Sequence, residues 1–170
     1  DFIHCKEREG SIVNFNISVG LTDEFMRAVE HGDTEPWLCE WKGVKMYPRR
    51  VRRSARGVLE EVIEEKMTAR EVFDEIVSGA WTNGEPGVVF LDEVNRTNPR
   101  PRLGRIETCN PCGGQFLHDG DVCNLGSINL ARFARGGRLD EERLREVTRI
   151  ATRMLDNVID TYKFAVERVQ

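Results

Sequence analysis

Four apolar residues in a row, Val88-Val89-Phe90-Leu91, follow the turn signal Pro86-Gly87. A strand with one wet face alternates polar and apolar residues, whereas an unbroken apolar run asks for cover on both faces. That is the situation of a strand in a parallel sheet packed between helices. Helical patterns stand on either side of the run. Thr22 can cap a helix reaching about His31, with Asp23 and Glu24 in the first turn where the helix dipole favours negative charge, and Gly32 is a suitable stop. Thr68 and Glu71 form a capping box, with Met67 and Val72 as its staple. The face of that second helix would be Val72, Phe73, Ile76, Val77, Ala80 and Trp81, and Asn83-Gly84 breaks it. Asp140 caps a last helix, with Leu139 and Leu144 as staple and a stripe running through Val147, Ala151, Met154, Leu155, Val158, Ile159 and Tyr162. We read that stripe as core packing.

Between these helices, Asn14 to Val19 alternates and reads as a strand, and Trp37 to Tyr47 reads as a hairpin around Lys42-Gly43. Val58, Leu59, Val62 and Ile63 fall at helical spacing. The segment Arg96–Arg105 is rich in proline and arginine and reads as irregular, Cys109–Asp121 as a loop, and Cys123–Leu130 as another strand. Asp1–Gly10 resembles the middle of a helix and lacks an initiator methionine, which suggests a piece of a longer protein. The order of elements is that of an α/β fold, and 170 residues fit a single domain spanning 1–170.

Composition narrows the function classes. The net charge is −4, from 25 basic and 29 acidic residues, which argues against generic nucleic-acid affinity. No apolar run approaches the roughly 20 residues that span a bilayer, and no basic-then-apolar leader opens the chain. The five cysteines, Cys5, Cys39, Cys109, Cys112 and Cys123, are odd in number and point to a reducing, cytoplasmic setting rather than a disulfide framework.

Three of those cysteines cluster in Glu107-Thr-Cys-Asn-Pro-Cys-Gly-Gly-Gln115 and Cys123-Asn-Leu-Gly-Ser-Ile-Asn-Leu130. The two segments resemble the finger loop, here about 107–123, of the catalytic subunit of adenosylcobalamin-dependent (class II) ribonucleotide reductases, which usually reads Asn-Pro-Cys-Gly-Glu-Gln and then Cys-Asn-Leu-Gly-Ser-Ile-Asn-Leu. Asn14-Phe-Asn-Ile-Ser-Val19 with Thr22-Asp-Glu-Phe-Met26, the block from Ala80-Trp81 through Phe90-Leu-Asp-Glu-Val-Asn-Arg-Thr-Asn-Pro99, and Leu155-Asp-Asn-Val-Ile-Asp160 extend the resemblance in the family's order. The stretch from Gly32 to Arg56 does not take part in it.

The resemblance implies part of a ten-stranded α/β barrel whose centre is threaded by the finger loop. It implies reduction of ribonucleotide di- or triphosphates to deoxyribonucleotides by a thiyl radical, with adenosylcobalamin as cofactor. By position Cys112 would be the thiyl that takes the 3′-hydrogen. Cys123 would deliver reducing electrons, renewed by a thiol reductant. Asn110 would hold the ribose hydroxyls in alignment.

One departure matters. The family places a glutamate two residues after the radical cysteine as general base, and here that position is Gly114. Loss of a general base removes about 10²–10⁴ in rate. The upstream partner cysteine, the C-terminal shuttle cysteines and the later phosphate loop are also missing from these 170 residues. The expectation is therefore a reductase fragment that is inactive alone, and that self-associates or needs the remaining reductase segments, because part of a barrel leaves strand edges unpaired.

Two other readings stand beside this one. A degenerate paralogue would bind nucleotide or a partner subunit without catalysis. A small zinc module would use Cys109, Cys112, His118 and Cys123, whose spacing is one residue longer than a zinc knuckle. Simpler roles fit the remaining candidates. Cys5 and Cys39 read as ordinary part-buried thiols, His4 and His31 as helix-end residues, and the five arginines between Arg49 and Arg56 as a solvated charged face. Arg96, Arg100, Arg102 and Arg105, just before the loop, are stronger candidates for phosphate contacts.

Overall fold

A computed structural model of the chain describes residues 1–7 and 12–162. Residues 8–10 of the proposed N-terminal helix lie outside these, and residues 3–6 form turns rather than helix. The chain divides into two compact units, Asp1–Asp119 and Gly120–Gln170.

The first unit opens with strand β1 (Ser18–Leu21) and helix α1 (Asp23–His31). Thr22 caps α1 by accepting a bond from the Phe25 amide, and Gly32 ends it in the left-handed conformation that glycine adopts without cost. Next come two hairpins, β2 (Cys39–Trp41) with β3 (Val44–Met46), and β4 (Arg49–Arg53) with β5 (Leu59–Glu64). Lys42 and Gly43 both have positive φ at the first turn, as a tight hairpin connection requires. Helix α2 (Ala69–Asn83) begins with the full Thr68–Glu71 capping box and ends at left-handed Gly84. Strand β6 (Gly87–Phe90) pairs in parallel with β1, Ser18 opposite Gly87 and Leu21 opposite Phe90. Helix α3 (Leu91–Arg96) follows at once, then a 3₁₀ turn at Pro101–Leu103. A short hairpin of β7 (Thr108–Cys109) and β8 (Phe116–Leu117) completes the unit.

Its main core is built by β1, α1 and α2. Leu21, Phe25, Ala28, Val29, Ala69, Val72 and Ile76 are buried together, and Trp37 stands edge-on to Phe25 at 5.2 Å between ring centres. The larger of these, Leu21, Phe25, Val29, Val72 and Ile76, each contribute about 1.5–3 kcal/mol on burial. A smaller cluster of Val89, Val94 and Ile106, with Leu91 and Cys109 against it, sits under the β7–β8 hairpin.

The second unit holds a 3₁₀ turn at Leu130–Phe133, the two-residue strands β9 (Ala134–Arg135) and β10 (Arg138–Leu139), and helix α4 (Glu141–Thr161), capped by Asp140 through the Arg143 amide. No residue of α4 is buried.

Several sequence expectations need correction. On the proposed inner face of α2, Val77 and Trp81 are exposed, while Val72 and Ile76 are buried. Leu59, Val62 and Ile63 lie in strand β5, with Val58 just before it, rather than in a helix: Arg49, Arg52 and Arg50 pair with Glu64, Glu61 and Glu65, and this charge matching favours the hairpin. Of the arginines read as a simple solvated face, Arg49, Arg50 and Arg52 are thus tied to glutamates, and Arg53 donates to the Gly57 carbonyl. The proposed strand Cys123–Leu130 is not formed: residues 123–129 have no regular structure, Leu130 opens the 3₁₀ turn, and among the described residues no strand pairs with this stretch. The α4 stripe is not packed in a core: Leu144, Val147, Ala151 and Leu155 are half-buried, while Met154, Val158, Ile159 and Tyr162 are exposed, as is Ile150 beside them. The fold is mixed α/β as expected, but the barrel is not closed: among the described residues the parallel sheet consists of β1 and β6.

Candidate functional site

The β7–β8 hairpin presents the loop from Asn110 to Gln115, which is closed by its own hydrogen bonds. The Asn110 amide donates to the Gln115 carbonyl at 2.9 Å, the Gln115 amide to Asn110 Oδ1 at 3.0 Å, and the Gly113 amide to the Asn110 carbonyl at 3.0 Å. Gly113 has φ +72°, so a side chain there would be strained. Below the loop, Thr108 Oγ1 donates to the Leu117 carbonyl at 2.9 Å. Asn16, just before β1, donates from Nδ2 to the Pro111 carbonyl at 2.8 Å and ties the tip to the sheet.

Asn110 and Cys112 come together. Asn110 is 5% exposed, and its Nδ2 lies 3.1 Å from Cys112 Sγ. The asparagine is thus fixed at both ends of its amide, and the thiol it supports is exposed. Gly114 lies beside that sulfur: a Cβ there would stand 3.4 Å from Cys112 Sγ, with no other heavy atom within 4 Å and no left-handed φ. A side chain at position 114 would therefore meet the thiol without backbone strain. Cys123 is exposed and belongs to the second unit.

The four proposed zinc ligands do not form a metal site. Cys109 is turned into the apolar cluster with Val89, Val94 and Ile106. His118 is buried, with Nε2 at 3.2 Å from the Gly104 carbonyl and Nδ1 at 3.4 Å from an Arg100 nitrogen. Since a carbonyl only accepts, Nε2 is the donor to Gly104. Among the described residues no three His, Cys, Asp or Glu side chains gather as metal ligands.

Of the four arginines before the loop, Arg96 pairs with Asp23 at 2.6 Å and with Glu93, and Arg105 pairs with Asp92 at 3.1 Å. Asp92 also accepts from the Asp23 amide at 2.8 Å. That amide bond, and then Arg105, hold its carboxyl below the usual aspartate range. These arginines serve the scaffold around the N-terminus of α1.

Two residues that hold the loop were not singled out from sequence, Asn16 and Asn95. The latter bonds to both backbone groups of Ile106, at the root of the loop. Asparagine in a turn-rich segment is too common to flag either. The one available signal was their place inside the blocks that resemble the reductases.

Comparison with known proteins gives a consistent result. The family model for the ribonucleotide reductase barrel domain matches residues 1–170. The chain is 41% identical over 172 residues to a vitamin B12-dependent ribonucleoside-diphosphate reductase of Thermoplasma acidophilum, covering 100% of this chain and 20% of that protein. It is 44% identical over 165 residues to a reductase of the same name from Mycobacterium tuberculosis, covering 96% of this chain and 21% of that one. It is 34% identical over 179 residues to a ribonucleoside-diphosphate reductase subunit alpha of Chlamydia pneumoniae, covering 94% and 17%. The chain thus spans about a fifth of the length of these relatives.

Proposed function

The chain belongs to the ribonucleotide reductase barrel-domain family, and we propose that it supplies the thiyl-bearing loop of an enzyme that reduces ribonucleotides to deoxyribonucleotides. The observation that carries this reading is the bond from buried Asn110 to the exposed Cys112 sulfur, inside a loop closed by three further hydrogen bonds. Such a loop offers one thiol to a substrate while holding its position, as a hydrogen transfer between sulfur and carbon requires.

The roles are those that the resemblance to the reductases assigns, and the Asn110–Cys112 contact supports two of them. Cys112 exchanges a hydrogen atom at Sγ with the ribose 3′-carbon, which makes loss of the 2′-hydroxyl feasible. Asn110 keeps one amide N–H and one oxygen lone pair beyond its bonds to Cys112 and Gln115, and these meet the ribose hydroxyls. Cys123 supplies reducing electrons, with its partner cysteine and the thiol reductant outside these 170 residues. The substrate is a ribonucleoside di- or triphosphate. The relatives' names support a diphosphate.

The same names support adenosylcobalamin as cofactor of the longer protein; when bound it supplies the carbon radical from which thiyl chemistry starts. The exposed thiol of Cys112 suits the receiving end of that chemistry. The cavities beside the loop do not suit a corrinoid. One of about 250 Å³ is lined by Gly114, Gln115, Arg100 and His118, and one of about 220 Å³ by Asn16, Ser18, Glu107 and Asn110. Both fall below even the 300–1,000 Å³ usual for small-molecule sites. The seat for the cofactor would come from other parts of the protein. The open sheet and the exposed α4 stripe likewise favour a chain that needs the remaining barrel segments, or pairs with a copy of itself, before it turns over.

The decisive experiment joins this chain to the missing segments and follows deoxynucleotide formation and exchange of the substrate 3′-hydrogen. Cys112→Ser should abolish both, and surviving turnover would refute the assignment. Gly114→Glu should raise the rate by about 10²-fold or more if Gly114 is the lesion. Gly114 also favours a second reading, a paralogue that binds nucleotide without reducing it. Calorimetric binding with no 3′-exchange in the parent or in Gly114→Glu would select that reading.

A further inference from the structure

We propose that Asn95 is a positioning residue for Cys112: it fixes the root of the radical loop by standing in for a backbone strand partner. The inference rests on the reading of Cys112 given above.

The side chain of Asn95 makes three bonds. Nδ2 donates to the Leu91 carbonyl at 2.7 Å, within its own helix, and to the Ile106 carbonyl at 2.9 Å. Oδ1 accepts from the Ile106 amide at 2.8 Å. Both backbone groups of one residue are thus paired with both ends of one side-chain amide, the pattern a peptide group offers in a ladder. Ile106 is 5% exposed, so its amide and carbonyl have little access to water, and leaving them unpaired is costly. Only four residues separate Ile106 from Asn110. Between them β7 runs straight into the loop, with no glycine to absorb a change of direction. Neighbouring contacts act in the same sense. Val94 packs with Ile106 in the small cluster, Asn98 Nδ2 donates to the Gly104 carbonyl at 3.0 Å, and His118 bonds to the same carbonyl from beyond β8. A shift at residue 106 is therefore passed along the strand to Asn110 and the Cys112 sulfur.

No other standard side chain of this size offers both a donor and an acceptor in one plane. Aspartate keeps the acceptor for the Ile106 amide but, when ionised, turns an oxygen toward two carbonyls. Alanine keeps neither. The test compares the full chain with Asn95→Asp and Asn95→Ala. It measures amide hydrogen exchange at residues 106–110 and the rate of Cys112 alkylation by iodoacetamide, each as a ratio to the parent at the same pH and in folded protein. Asn95→Ala should accelerate both by about tenfold, the factor that roughly one net hydrogen bond represents. Asn95→Asp should match it at pH 7 and return toward the parent as pH falls through the aspartate range, about 4, where the acid regains a donor. Should Asn95→Ala fail to fold, the pH dependence of Asn95→Asp decides alone. A lowered melting temperature with unchanged exchange and alkylation would overturn the proposal, since that is what a merely structural residue gives. Neither readout uses nucleotide or cofactor, so the proposal can fail while the reductase reading stands, and the reverse.

Discussion

In α2, Val72 and Ile76 are buried against Phe25 and Val29 of α1; in α4, Ile150, Met154 and Ile159 stand in solvent. The two helices have the same grammar. Each starts at a side-chain cap, Thr68 or Asp140, and each repeats apolar residues at three- and four-residue spacing. What differs is the neighbour. Helix α2 finds α1 and β1, elements far from it in sequence but within the same unit, whereas the face of α4 has no full cover among the described residues. An apolar stripe records that a helix is meant to be covered, and says nothing about whether the cover lies in the same 170 residues.

The difference can be pressed hardest by deleting core volume. Ile76→Ala should cost about 2–5 kcal/mol, a large share of the stability of a domain this size, while Met154→Ala on the open face should stay within about 0.5 kcal/mol. Urea melts of the two variants would measure both, and equal losses would mean that the α4 face is covered in solution. A smaller effect separates the caps. Thr68→Ala should lower global stability by about 1 kcal/mol, because α2 is part of the core. Asp140→Ala should instead raise amide exchange in the first turn of α4 and leave the main melt unmoved. The smallest effect is electrostatic and confined to the first unit. The Asp92 carboxyl is depressed in the folded chain by the Asp23 amide and by Arg105. A depressed acid stabilises the fold above its unfolded value, about 3.9, and that stabilisation is lost as pH falls through the folded value. Below about pH 4 the parent should therefore lose stability more steeply than Asp92→Asn, modestly so because the pair is partly screened by solvent.

How much of this was readable in the residues follows the same division. Caps and turns are local chemistry, and Thr22, Thr68, Asp140 and the Lys42-Gly43 hairpin stand where their side chains and backbone freedom put them. Pairing is not local. Val58, Leu59, Val62 and Ile63 fit helical spacing, yet β5 forms because Arg49–Arg53 lies antiparallel to it with glutamates opposite arginines. The glutamates at 61, 64 and 65 were the available signal. The loop residues Asn110 and Cys112 were legible through a motif, and the structure brings the two side chains into contact. Asn95 was not, because its partner is a backbone eleven residues away.

That eleven-residue interval has a consequence for chain length. Residues 97–105 leave α3 and return to a point held by Asn95, with Arg102 and Leu103 exposed at the far side. A loop whose two ends are tied to each other can grow at its tip for little entropy, since each doubling costs only about 0.6 kcal/mol. The segment between Pro101 and Gly104 is therefore a place where residues, a tag or a reporter can be inserted without moving the thiol, whereas a single residue added between Ile106 and Asn110 would slip β7 against β8 and carry Cys112 out of place.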